Sequence, residues 1–249
     1  MLAVSDPSIA VRDWHISPPG EILQSPLLAA GGYLVVRGLF DEETLQGLRA
    51  EADTVRGEAE RMVVANSDGT EGRGGYPARA YRAGPGGDLH WGLHGCQQMA
   101  ETLGRLCGFA VSATGGGTYS YYEQAGDFLA VHRDVLQCDV AVITSLTPCS
   151  ADGSTGELAV YPEFLREPLS TVRSAGRASR TPVPLDRGHT IILLGGIVPH
   201  EVTPTREGQD RIVAINCYRA QTTDVLISTP LSSETAVTDS TDSRSADEV

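Results

Sequence analysis

The chain of 249 residues has no lysine: all 19 basic side chains are arginine, set against 32 acidic ones, for a formal net charge of −13. Without lysine there is no amine to form a Schiff base and no residue to complete a phosphate-cradling P-loop, so both chemistries are excluded. The deficit of positive charge also excludes a sequence-independent grip on nucleic acid. No run approaches the roughly 20 apolar residues needed to cross a bilayer. Residues 1–14 carry Asp6 and Asp13 where a secretory leader would carry a basic segment and then an apolar one. These absences predict a cytoplasmic protein with no membrane partner. Five cysteines, at 96, 107, 138, 149 and 217, are an odd number with no Cys-x-x-Cys pair. That pattern predicts reduced structural thiols rather than a disulfide framework or a zinc knuckle.

What is present describes a globular chain, 41% hydrophobic and 20% charged, long enough for one domain with a sizeable core. The expected organisation is a single domain over 1–227, with helical N-terminal support over about 1–110 and a β-rich core over about 111–220. An aromatic and β-branched run at 32–39 reads as a strand. Asp41 reads as the N-cap of a helix over about 42–61, with Glu42 and Glu43 in its first turn and Leu45, Leu48, Ala52 and Val55 on one face. Residues 66–88 hold seven glycines interleaved with Arg73, Tyr76, Arg79, Tyr81 and Arg82. A stretch without periodicity and of this length predicts a mobile lid whose arginines touch substrate. A second helix follows, with Leu93, Cys96, Ala100, Leu103 and Cys107 on one face and Gly108 as its stop.

From Val111 onward short β-rich runs alternate with Gly, Pro, Asp and Ser, at 118–122, 128–132, 139–146, 157–161, 189–194 and 211–218. This spacing predicts a sandwich or barrel rather than a parallel α/β sheet. Residues 228–249 hold ten Ser or Thr, five acids and one Arg, the composition of a disordered acidic tail.

Chemistry concentrates in the β-rich half. His132 and Asp134 close an apolar run, and strand alternation points both to one side. His200 ends a second apolar run, 191–198, and Arg211 opens the next. Two imidazoles and one carboxylate on one face leave adjacent positions of an octahedral Fe(II) open to a bidentate co-substrate and O2. A guanidinium in the same mouth can hold a carboxylate by a two-pronged pair. His90 and His94, four apart, lack the Glu of a zinc-protease helix and read as structural.

The order Tyr122…Gly126-Asp127-Phe128-Leu129-Ala130-Val131-His132-Arg133-Asp134, then Gly156-Glu157-Leu158, then Gly188…His200-Glu201-Val202-Thr203-Pro204…Gly208…Arg211 resembles the Fe(II)/2-oxoglutarate-dependent oxygenases. The C-terminal half is similar to their prolyl-hydroxylase branch. Residues 32–40 are similar to the phytanoyl-CoA-hydroxylase branch. The resemblance covers most of 31–220 and implies a mainly β fold with flanking helices, a double-stranded β-helix of the jelly-roll, cupin-like kind. It further implies that His132, Asp134 and His200 hold iron and that Arg211 clamps the distal carboxylate of 2-oxoglutarate. A tyrosine would assist that clamp: Tyr122 is the nearest match, with Tyr119 and Tyr121 competing. Relatives that halogenate replace the carboxylate with a small residue, so Asp134 implies hydroxylation, desaturation or cyclisation. The expected activity is oxidation of a C–H bond in a small molecule, as a biosynthetic tailoring step, with decarboxylation of 2-oxoglutarate to succinate. The alternatives are a prolyl-type hydroxylase of proteins or peptides and a non-catalytic metal-binding sensor. Substrate identity and oligomeric state are not legible in the sequence.

Overall fold

The computed structural model describes residues 20–149 and 155–221. The N-terminal stretch read for a leader and the acidic tail at 228–249 lie outside the described residues. Two short helical turns, α1 (Gly20–Leu23) and α2 (Pro26–Ala29), lead into β1 (Tyr33–Arg37) and α3 (Glu42–Val55). Strands β2 (Glu60–Val64) and β3 (Arg79–Pro85) precede helices α4 (Asp88–Gly95) and α5 (Gln97–Cys107). The β-rich half holds β4 (Val111–Tyr122), β5 (Phe128–His132), β6 (Val140–Ser145), β7 (Leu158–Val160), β8 (Thr181–Val183), β9 (His189–Leu193), β10 (His200–Val202) and β11 (Arg211–Ala220), with α6 (Leu169–Ala175) between β7 and β8. No described helix is long and apolar enough to cross a membrane.

The strands form two walls, β1-β9-β6-β11-β4 and β5-β10-β7-β8, joined through β3, which pairs antiparallel with both β4 and β5. Every pairing is antiparallel. The expected jelly roll is therefore the observed architecture. Alternation along β11 sorts its side chains: Arg211, Val213, Ile215 and Cys217 face a cavity between the walls, while Ile212 and Ala214 pack outward against Leu45, Leu48 and Ala52 of α3. Burying the two leucines contributes about 1.5–3 kcal/mol each, and Leu48→Ala would cost about 2–5 kcal/mol.

Helix α3 starts as expected, with Thr44 N–H donating to Asp41 Oδ1 at 2.8 Å. It stops at Val55, six residues short of the expected end. A 3-10 turn over Arg56–Glu58 redirects the chain so that β2 pairs with β3, Met62 opposite Tyr81. The single expected second helix is two, broken at Cys96, whose backbone is extended. Gly108 ends α5 in the left-handed region at φ 84°, a conformation that favours glycine. The N-terminus of α4 has no side-chain cap of its own. Glu51 of α3 accepts from Gly87, Leu89 and His90 N–H and from the Tyr119 hydroxyl, fixing the helices to the back of β4. His94 Nε2–H donates to the Cys217 carbonyl and so ties α4 to β11.

Two expectations fail. Cys138 and Cys217, 79 residues apart, form a disulfide, leaving Cys96, Cys107 and Cys149 free. The pairing needs no local motif, because β11 runs beside β6 and places Cys217 opposite Ala141, three residues after Cys138. The expected mobile lid at 66–88 is a bonded turn followed by a strand. Asp68 accepts from Thr70 and Tyr76 N–H, both at 2.9 Å, and Ala78 N–H donates to Ser67 Oγ. The segment then becomes β3, the strand that joins the walls.

Candidate metal centre

Strand β5 ends at His132, and antiparallel pairing with β10 places His200 directly opposite it. The two rings stand 4.2 Å apart, centroid to centroid, tilted by 52°. Each Nδ1 lies against a backbone carbonyl, Ala130 for His132 at 3.0 Å and Val198 for His200 at 2.9 Å. A carbonyl only accepts, so each Nδ1 carries the proton and each Nε2 keeps its lone pair free, which fixes the ligating nitrogen.

Asp134 lies on the same side as His132, with Oδ1 3.6 Å from both Nε2 atoms. Its Oδ2 is buried with no hydrogen-bond partner. Among the described residues these three side chains are the group whose ligand atoms all lie within 4.8 Å of one another. Burial would raise the Asp134 carboxyl pKa, but the two imidazoles beside it, His200 foremost, outweigh burial and hold the group well below the carboxylate range. Burial and the neighbouring His200 together lower the His132 pKa. Two imidazole nitrogens and one ionised carboxylate, one of whose oxygens has no hydrogen-bond partner, fit a divalent first-row metal with open positions.

Arg133, between the two ligands in sequence, points the opposite way. Its buried guanidinium donates to the carbonyls of Ile197, Phe164 and Glu167 and pins the surrounding loops. Gly195 closes the other side. Its carbonyl accepts from Asp134 N–H at 2.8 Å, and a Cβ there would fall 1.8 Å from Asp134 Oδ2.

The same cavity, about 210 Å³, is lined by Arg211 and Tyr122. Those two face each other across the β11–β4 ladder. Arg211 is almost fully buried, 3.5 Å from Glu157 Oε2, and its Nε has no hydrogen-bond partner. Alternation along β4 separates the tyrosines. Tyr119 and Tyr121 point outward to Glu51 and the Ala52 carbonyl, whereas Tyr122 faces the cavity and stacks on Tyr81 at 5.0 Å.

The three arginines expected to touch substrate part company. Arg79 lines the cavity. Arg73 is bound to Asp139 at 2.8 Å and to the carbonyls of Asp134, Val135 and Cys138, so it braces the loop behind the Asp134 carboxylate rather than facing the cavity. Arg82 donates to the carbonyls of Arg56 and Ala59, because alternation along β3 turns it away from Arg79. No role for Gly195, Glu157 or the cystine was legible in the sequence, although Gly156-Glu157-Leu158 stands in the pattern quoted above. The adjacent pair Gly195-Gly196 was the available signal for a close backbone approach.

No family model matches the chain, and no curated protein does. Among solved structures, the non-haem alpha-ketoglutarate-dependent epimerase SnoN from nogalamycin biosynthesis superposes with a TM-score of 0.59 at 17% identity, over 86% of this chain and 82% of that one. HygX from Streptomyces hygroscopicus, solved with nickel and 2-oxoglutarate, gives 0.56 at 13% identity, over 76% and 83%. The carbocyclase SnoK from nogalamycin biosynthesis gives 0.56 at 14%, over 76% and 79%. Likeness over most of each chain at such identities is likeness of fold: this protein shares the jelly-roll fold of those three structures, with helices packed on its outer face.

Proposed function

We propose that the chain is a non-haem Fe(II)- and 2-oxoglutarate-dependent oxygenase that oxidises a C–H bond of a small molecule. One observation carries the reading: two Nε2 lone pairs and a carboxylate converge on one point of a cavity that also presents a buried arginine and a tyrosine. His132, Asp134 and His200 would hold the iron, and Arg211, with Tyr122 beside it, would hold the distal carboxylate of 2-oxoglutarate. Iron bound there, with 2-oxoglutarate and O2, supplies an oxidant able to break a C–H bond as the keto acid loses CO2 and becomes succinate. The chain's own residues set geometry. The Ala130 and Val198 carbonyls orient the imidazoles, and Arg73 and Gly195 fix the carboxylate. Val213, Ile215 and Leu158 keep the reacting volume apolar and short of water.

A biosynthetic tailoring step is supported by the fold neighbours, two of which come from nogalamycin biosynthesis, while HygX has also been solved with hygromycin B. The test is an anaerobic titration of Fe(II) and then 2-oxoglutarate into the purified protein, followed by the visible charge-transfer band of the complex. The expected result is a band in the wild type that is lost in His132→Ala, Asp134→Ala and His200→Ala, each of which still folds. Near-wild-type iron occupancy in all three variants would remove the assignment. Turnover of a proline-containing peptide in place of a small molecule would move the substrate class to the prolyl-type alternative.

A further inference from the structure

Two of the arginines that line the cavity differ in their surroundings. Arg211 has the Glu157 carboxylate 3.5 Å away, both side chains almost fully buried. A buried carboxylate at that distance offsets much of the guanidinium charge felt by any third group in the cavity. Arg79 has no such counterpart. It stands on β3 opposite Leu129 of the metal-bearing strand and forms no ion pair among the described residues. Its Nε is buried without a hydrogen-bond partner, and its guanidinium carbon lies 4.3 Å from the Tyr76 ring centroid. The Tyr76 face holds the cation in place without neutralising it. A buried donor without a partner is destabilising, so its retention points to a ligand that completes it.

The charges narrow the choice of ligand. A divalent metal brings two positive charges and Asp134 removes one, while Arg211 and Glu157 come close to cancelling. Arg133 also lines the cavity, but its guanidinium donors are taken by the carbonyls of Ile197, Phe164 and Glu167. Against the two negative charges of 2-oxoglutarate the groups able to touch it would be left one positive charge short, and an uncompensated charge in a low-dielectric site is expensive. Arg79 supplies that charge. We propose that Arg79 is a second binding cation for 2-oxoglutarate, made necessary because Glu157 offsets the charge of Arg211. The inference rests on the co-substrate assignment made above.

The experiment titrates 2-oxoglutarate anaerobically into Fe(II)-loaded protein, read by calorimetry and by the visible band, for wild type, Arg79→Gln, Arg79→Lys and Arg211→Gln. Iron content is measured for each. Loss of one charged, hydrogen-bonded partner is expected to weaken 2-oxoglutarate binding by about 10- to 100-fold in Arg79→Gln, while Arg79→Lys stays within a few-fold of wild type and both keep their iron. In a Glu157→Gln background, where Arg211 regains its full charge, the penalty for Arg79→Gln should shrink. Binding in Arg79→Gln within twofold of wild type would overturn the proposal and leave Arg79 for an acidic group on the substrate. Equal losses in Arg79→Gln and Arg79→Lys would overturn it too, by showing that shape rather than charge matters. A wild type that binds iron and no 2-oxoglutarate would instead sink the co-substrate assignment, a separate outcome.

Discussion

At Gly195 the candidate metal site depends on an absent atom. An added Cβ would lie 1.8 Å from Asp134 Oδ2, the carboxylate oxygen left without a hydrogen-bond partner. Gly195 has no positive φ to protect, since it is not among the glycines in the left-handed region, so Gly195→Ala should fold. It should also push the carboxylate off line. The expected outcome is a loss of about 10- to 100-fold in Fe(II) affinity, the range seen when groups that support metal ligands are disturbed, with little change in melting temperature. Competition with a chelator measures it, and unchanged affinity would show that Asp134 relaxes freely. Arg211→Ala acts on the other partner: it should raise the KM for 2-oxoglutarate by well over tenfold, with iron content kept, since removing one member of a buried charged pair costs about 2–5 kcal/mol. Unaltered 2-oxoglutarate binding would move the clamp to another cation. The clustering of the three proposed ligands was legible because alternation along one strand fixes His132 and Asp134 at once. Gly195 was not, because its constraint comes from a residue 61 positions earlier.

Among the elements, β5 delivers His132, and its start is held by a buried carboxylate. Asp127 accepts from both terminal nitrogens of Arg61 at 2.9 and 2.6 Å and from Glu123 and Gln124 N–H. Burial would raise its pKa, but the Arg61 pair and the two backbone donors win and lower it below the usual aspartate range. A carboxyl depressed in the folded state adds stability above its unfolded pKa and loses it as pH falls through the folded value. Asp127→Asn should therefore cost roughly 1–3 kcal/mol at neutral pH, with the gap from wild type narrowing as pH falls below about 4. Urea unfolding across that range is the check, and a pH-independent gap would assign the loss to packing. The strands at 128–132, 189–194 and 211–218 were readable because they are apolar and β-branched. β2 and β3 were not: the helical pattern runs on to 61, across the start of β2, and β3 is mostly Arg and Ala beside a Gly-rich stretch, so that pairing with β4 and β5, distant in sequence, makes a strand of β3 and gives β2 its partner. The end of α3 at Val55 has the same cause, because the residues after it are claimed by β2.

Across the whole molecule, the Cys138–Cys217 bond closes a loop of chain that runs from β6 through β10, and so encloses most of the second wall together with His200. Cys138 belongs to the loop that Arg73 holds behind Asp134, and Cys217 lies on the strand that begins at Arg211. The bond therefore joins the segment carrying one proposed metal ligand to the strand carrying the proposed clamp. Its contribution to stability comes mainly from the unfolded chain, whose freedom a cross-link over 79 residues restricts. Reduction, or Cys217→Ser, should cost about 2–4 kcal/mol, which for a chain of this size lowers Tm by roughly 5–15 °C. The walls should still assemble, because their ladders and apolar faces are untouched. Reduced protein should then bind Fe(II) more weakly than oxidised protein, since the loop behind Asp134 loses its covalent tie and keeps only hydrogen bonds, those of Arg73 among them. Thermal unfolding with and without a phosphine reductant, alkylation to count thiols, and iron titration of both forms provide the test. Equal Tm values with two additional thiols alkylated would show that the ladder between β6 and β11 alone holds that corner of the fold.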